Sequence, residues 1–244
     1  MSKPILLLQI RPEDRASDGE YEAILKFGEL AADDVHRVRV EQVGVPEVNF
    51  EDYSALIVGG GPWNPGDPDE KKSEAQKKAE EKFMPLMREV VERDFPCFAI
   101  CYGLEILTKS LGVEITHDFH EKPDAVDLMM TEEGVRDPLL TGLPREFCGM
   151  VGHKEAAAHV PEGGTLLLSS RDCPPHMFRI GQNVYASQFH PELDVEGMCV
   201  RIEIYKHLGY FPIEQAEQIK EEVRRENITV PMEILKRFVE RYHS

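Results

Sequence analysis

The chain opens on a run, Ile5 to Ile10, that is apolar except at Gln9 and set between Pro4 and Arg11. A run this short and nearly continuous predicts a strand buried on both faces, as in a parallel sheet. Tyr21, Ile24, Leu25, Gly28 and Ala31 then recur at helical spacing, and a second strand is predicted near Val38 to Val43. Ala55 to Val58 forms a third apolar run that ends in Gly59-Gly60-Gly61-Pro62, the mark of a loop with unusual backbone dihedrals. Phe95 to Ile100 is the next strand; Leu104, Leu107, Thr108 and Leu111 lie on one face of the following helix, which Gly112 closes. Strand and helix alternate, so the sheet is predicted to be mainly parallel with helices on both faces. Ligands bind such sheets at the carboxyl ends of the strands.

Two stretches depart from this rhythm. Asn64 to Lys82 is dense in Asp, Glu, Lys and Pro, and helical period resumes only at Phe83, Leu86, Met87, Val90 and Val91. A mobile polar loop with a solvated charged face, running into an amphipathic helix, is the expectation. From Asp124 the pattern turns to short strands at Ala125 to Met130, Thr165 to Ser169, Met177 to Ile180 and Val184 to Phe189, with Gly181-Gln182-Asn183 as a hairpin turn. These are expected to extend the sheet with antiparallel strands. After Gly197 the chain reads as helical, punctuated by Pro212 and Pro231. Residues 1–200 are expected to form one domain, with 201–244 as a helical extension packed on it.

Composition narrows the function. A formal net charge of -17 disfavours nucleic acid or an anionic membrane as partner, because both repel an acidic protein. The first apolar run is too short to span a bilayer. Five cysteines form no C-x-x-C pair, which fits reduced thiols in a cytoplasmic protein. No P-loop or other nucleotide fingerprint occurs, so no cofactor is expected. His117 and His120 lack a third ligand nearby, so no metal site is expected either.

The chemistry-bearing residues fall at strand ends. In FAICYGLEIL, Cys101 sits between a buried strand and a helix start, where the helix N-terminus favours a thiolate. Acyl transfer from such a nucleophile needs a base and a group that holds the base's tautomer. SQFHPEL supplies both, with His190 at a strand end and Glu192 two residues on across the stiff Pro191. Backbone N–H groups of Gly61 and Tyr102 are the natural oxyanion donors. Cys97, Cys148, Cys173 and Cys199 read as packing or incidental thiols.

These motifs, Gly60-Gly61-Pro62, Ala99-Ile100-Cys101-Tyr102-Gly103-Leu104-Glu105 and Gln188-Phe189-His190-Pro191-Glu192, resemble those of the class I glutamine amidotransferases, most closely the stand-alone relatives of the GMP synthase amidotransferase domain. The resemblance covers about residues 3–200. It implies a three-layer α/β/α, flavodoxin-like fold and a Cys101-His190-Glu192 triad. In the family, the cysteine attacks the glutamine side-chain amide, ammonia leaves, and water releases glutamate from a thioester. Gly61 and Tyr102 match the oxyanion positions, and Gly60, Glu105, Gln188 and His153 the substrate pocket. The implied partners are glutamine or a γ-glutamyl compound and a separate synthase subunit that receives the ammonia; a homodimer is left open.

Three departures stand out. Glu105 occupies a position where the family usually has Gln, and a carboxylate there would repel the substrate's α-carboxylate and raise the thiol pKa. Ala99 replaces a usual Gly, and the charged segment between Gly61 and Cys101 is longer than in GMP synthase, long enough for a lid. Two alternatives follow from Glu105: a hydrolase of γ-glutamyl peptides or amides, or a catalytically silent regulatory module.

Overall fold

In a computed structural model the structure describes residues 3–243. The first half alternates as its hydrophobic pattern predicts: strand β1 (Ile5–Gln9), helix α1 (Asp14–Gly28), β2 (Val35–Arg39), a single turn α2 (Val40–Val43), β3 (Ala55–Val58), α3 (Glu74–Glu92), β4 (Cys97–Ile100) and α4 (Tyr102–Ser110). The second half holds β5 (Ile115–Thr116), β6 (Glu121–Met130), α5 (Glu132–Arg136), β7 (Glu146–His153), β8 (Ala156–Ala157), β9 (Gly164–Ser169), β10 (Met177–Ile180) and β11 (Val184–Ser187), then α6 (Val195–Tyr205), α7 (Ala216–Val223) and α8 (Val230–Tyr242).

Nine strands form one sheet in the order β2-β1-β3-β4-β11-β10-β9-β6-β7, and β5 pairs with β8 in a small separate ribbon. β2, β1, β3, β4 and β11 pair in parallel, whereas the four remaining strands add on in antiparallel register. The last predicted strand therefore differs in sense from expectation: β11 extends the parallel block, because it enters beside β4 after the β10 hairpin has already reversed the chain.

Alternation along β1 divides the core in two. Leu6 and Leu8 pack with Phe83, Met87, Leu104 and Leu107 under α3 and α4, while Ile5 and Leu7 pack with Ile24, Ile234, Leu235 and Phe238 under α1 and α8. Successive side chains of a strand face opposite sides of the sheet, so one continuous apolar run feeds both cores. A third cluster, with Met150, Leu193, Ile202, Phe211 and Ile219, seats α6 and α7 beside the carboxyl end of the sheet.

Three local expectations are corrected. The second strand runs from Val35 to Arg39, and Val40 to Val43 is a helical turn closed by Gly44 at φ 81°. On this edge strand only Val35 and Val38 are buried, and Val40 enters the core from the helical turn that follows. The charged segment from Asn64 to Lys82 is anchored, with α3 beginning at Glu74 on a Ser73 cap. Buried Glu80 accepts from Lys72 Nζ (2.8 Å), Lys109 Nζ (3.2 Å) and Gln76 Nε2 (2.8 Å), and both lysines also donate to the Pro65 carbonyl. Lys72 and Glu80 are thereby buried, while Asp69, Glu70, Lys71, Glu74, Lys78, Glu81 and Lys82 stay exposed as the expected solvated face. Finally, β7 is a strand that hydrophobic pattern does not reveal: Gly149 and Gly152 interrupt it, and at Gly149 a Cβ would stand 2.7 Å from Leu128 on β6.

Candidate active site

The backbone makes a sharp elbow between β4 and α4. Cys101 holds φ 51° and ψ -104°, a conformation that an L-residue adopts only under constraint from its surroundings. The constraints are visible: Cys101 N–H donates to the Ser187 carbonyl at 2.7 Å, and its carbonyl accepts from Glu105 N–H at 3.0 Å. At Gly103 a Cβ would lie 2.5 Å from the Val58 carbonyl oxygen, so glycine lets α4 start hard against β3. The thiol is thereby pushed out at the carboxyl edge of the sheet.

His190 comes to the same edge from beyond β11. Its Nδ1 lies 2.9 Å from Glu192 Oε1, and both residues are buried. The glycine loop after β3 runs beside both His190 and Cys101. A Cβ on Gly60 would be 2.7 Å from His190 Cε1 and 3.4 Å from Cys101 Cβ, and one on Gly61 would be 2.2 Å from the Ile10 carbonyl oxygen. Gln188 Nε2 lies 3.8 Å from Cys101 Sγ and donates to Glu105 Oε1 at 3.2 Å. Cys101, His190 and Gly61 line one cavity, in which about 40 Å³ is free.

Burial sets the protonation states. It pushes the Cys101 thiol up, with help from the Glu105 and Glu192 charges; the Arg11 guanidinium and the Tyr102 backbone N–H oppose this without reversing it. The N–H at the start of α4 thus favours the thiolate, as FAICYGLEIL predicts, but burial outweighs it. Burial also lowers His190, aided by Arg201 and Arg11 against Glu192, so the imidazole is neutral and free to accept a proton. Glu192 is held well below the carboxylate range: burial works against its charge, but His190, Arg201 and Arg11 overcome it.

Glu105 departs from the expected carboxylate. Burial, then the charge of Glu155, raises its pKa well above the usual range against the Gln188 hydrogen bond. Burial thus favours the protonated form of Glu105, the form closest in shape and charge to a glutamine side chain. Because the folded state keeps this proton and the unfolded chain loses it above the ordinary carboxylate pKa, stability falls as pH rises through that window. Glu105→Gln removes the drop. The gain in Tm over the wild type is expected to widen from about pH 5 to pH 8, at roughly 2–4 °C per kcal/mol, and thermal unfolding across that range checks it.

Comparison with known proteins now decides the family: the model for glutamine amidotransferase class-I matches residues 27–198. The chain belongs to that family. GMP synthase [glutamine-hydrolyzing] of Bacillus velezensis is 28% identical to this amidotransferase over 171 residues, 70% of this chain and 29% of that protein. The Bacillus mycoides GMP synthase is 30% identical over 105 residues, 43% of this chain and 20% of that protein. The chain thus spans a fifth to under a third of the length of these relatives. A glutamine amidotransferase from Thermotoga maritima has the same fold, with TM-score 0.75 and 21% identity over 98% of both chains. So does one from Methylobacillus flagellatus, with TM-score 0.70 and 16% identity over 98% of this chain and 95% of that one.

The amidotransferase site contains residues that the motifs do not announce. Arg11, just past β1, is buried, donates to Glu20 Oε1 (2.8 Å) and Tyr205 Oη (3.2 Å), and lines the cavity with Cys101. Its place at a strand's carboxyl end was the available signal. From α6, Arg201 reaches Glu192 Oε1 at 2.9 Å and His190 Nδ1 at 3.0 Å. Tyr210 and Phe211, in the loop after α6, cover the cavity, and Lys154 fixes that loop through its bond to the Leu208 carbonyl. Nothing in the order of the motifs links the tail to Cys101, His190 and Glu192.

His153 stands apart from the cavity. Its Nε2 meets Glu121 and its Nδ1 the Glu155 carbonyl. Trp63 packs edge-on to Tyr102 at 6.0 Å as a loop anchor. His117 is exposed beside Lys154 and Glu155, and His120 is also exposed. Among the described residues no helix is long and apolar enough to cross a membrane.

Proposed function

We propose that this chain hydrolyses the side-chain amide of glutamine to glutamate and ammonia. As Cys101 Sγ bonds to the amide carbon, its proton passes to neutral His190, whose Nδ1–H is held by Glu192. The oxyanion is met by the N–H groups of Gly61 and Tyr102, and Gly60, neutral Glu105 and Gln188 border the substrate. His190 then returns the proton to the leaving nitrogen, ammonia departs, and a glutamyl thioester remains. Water, deprotonated by His190, attacks the thioester carbon and expels the Cys101 thiolate, which regains the proton.

The strained elbow that sets Cys101 beside a neutral, carboxylate-held His190 carries this reading. The cavity at Cys101 is small, about 40 Å³, and Tyr210 and Phe211 line it, which favours glutamine over bulkier γ-glutamyl peptides. The matched relatives are named GMP synthases, which supports delivery of the released ammonia to a synthase. Purified chain incubated with glutamine should release glutamate and ammonia in equal amounts, and an electrophilic glutamine analogue should label the peptide that carries Cys101. Absence of both turnover and labelling would overturn the proposal.

A further inference from the structure

Behind the segment that carries His190, four side chains of metal-binding type converge without a part in the chemistry above. They are Glu121 at the start of β6, His153 at the end of β7, and Cys173 and His176 in the connection from β9 to β10. One donor atom from each lies within 4.8 Å of the others, and all four residues are buried. The fold builds this convergence deliberately. Glu121 and His153 are cross-strand partners, and Ser170 Oγ donates to Glu121 Oε1 (3.1 Å) while accepting from Cys173 N–H (2.9 Å), which pins the loop over them.

The hydrogen bonds of the two imidazoles do not close on protons alone without cost. His153 Nδ1 faces the Glu155 carbonyl at 2.9 Å and Nε2 faces Glu121 Oε2 at 2.8 Å, so both ring nitrogens meet acceptors. A neutral imidazole has one N–H and satisfies only one of them. His176 Nε2 lies 3.0 Å from the same Glu121 oxygen, and its Nδ1 is buried with no partner. A carbonyl at Nδ1 with Nε2 turned toward a ligand cluster is the arrangement that orients metal-bound histidine.

Two imidazoles, one thiolate and one carboxylate make a four-donor set suited to a tetrahedral divalent ion. Their two negative charges neutralise such an ion in an apolar interior, where an unbalanced charge is costly. We propose that Glu121, His153, Cys173 and His176 form a structural zinc site that braces the segment leading to His190. Loading opens the Glu121–histidine pairs from 2.8 and 3.0 Å and draws in pairs lying within 4.8 Å, because zinc bonds of 2.0–2.3 Å in tetrahedral array separate donors by about 3.3–3.5 Å. The bracing follows from two contacts: Gln188 N–H donates to the His176 carbonyl at 2.8 Å, and the His176 ring packs on Phe189 at 5.9 Å.

Elemental analysis of full-length protein purified without chelator should find about one zinc per chain. Cobalt titration of metal-stripped protein, in the Cys101→Ala background so that the nucleophile supplies no signal, should give tetrahedral cobalt absorption with a thiolate charge-transfer band. Cys173→Ser should abolish that band, and His176→Gln should weaken zinc binding by at least about tenfold with circular dichroism unchanged. Should Cys173→Ser fail to fold, His176→Gln decides alone. Substoichiometric zinc with no cobalt spectrum overturns the proposal, and so does metal binding that both variants leave intact.

Discussion

Cys101→Ala is expected to lower glutamate release by roughly 10⁴–10⁶-fold, the loss seen when the nucleophile of a catalytic triad is removed. The reasoning starts from the elbow. A positive φ at a non-glycine residue costs about 1–3 kcal/mol, and the Cys101 N–H bond to Ser187 with the Gly103 approach to Val58 maintains it. Alanine keeps this backbone and its strain, so the fold survives while the sulfur is lost. Cys101→Gly should be equally inactive yet more stable than Cys101→Ala by about 1 kcal/mol, since glycine accepts positive φ without penalty. Kinetic assay and thermal unfolding of the pair measure the two effects separately. Alanine activity above about 1% of wild type would show that the acyl acceptor lies elsewhere.

How far the site can be read from sequence depends on where each residue sits relative to a strand end. Cys101, His190 and the Gly60-Gly61 loop each terminate a buried apolar run, and parallel strands deliver such termini to one edge of the sheet. Their convergence was legible for that reason. The charge state of Glu105 was not, because it is decided by burial and by Glu155, fifty residues away in the chain. Arg201 and Tyr210 were missed for a related reason: the third core cluster, not any local pattern, carries α6 and its following loop onto the site. The solvated face of the segment from Asn64 to Lys82 was legible, but its anchor was not, because composition does not show that Lys72 and Lys109 converge on Glu80.

Arg201 yields the second large effect. Its Nη1 at 3.0 Å and Glu192 Oε1 at 2.9 Å both address His190 Nδ1, and they demand opposite tautomers. Donation from arginine requires a bare Nδ1 and puts the proton on Nε2, which then cannot take one from Cys101; acceptance by Glu192 requires Nδ1–H and leaves Nε2 open. The second bond, Arg201 Nη2 to Glu192 Oε1 at 2.9 Å, resolves the conflict by anchoring the guanidinium on the carboxylate. Arg201 is thus a positioning residue that stabilises Glu192 and, by its charge, holds His190 low. Arg201→Met leaves a buried carboxylate short of a partner, a loss of about 3–5 kcal/mol in stability. It also removes a cation next to the imidazole, so the His190 pKa rises and the acidic limb of kcat/KM moves to higher pH. Activity at neutral pH should fall roughly 10–100-fold, the size of effect typical when a group that orients a site residue is lost. Arg201→Lys, which keeps the charge but not the fork, should restore the position of the limb more fully than the stability. A role confined to packing would lower stability in both variants and leave the limb where it was.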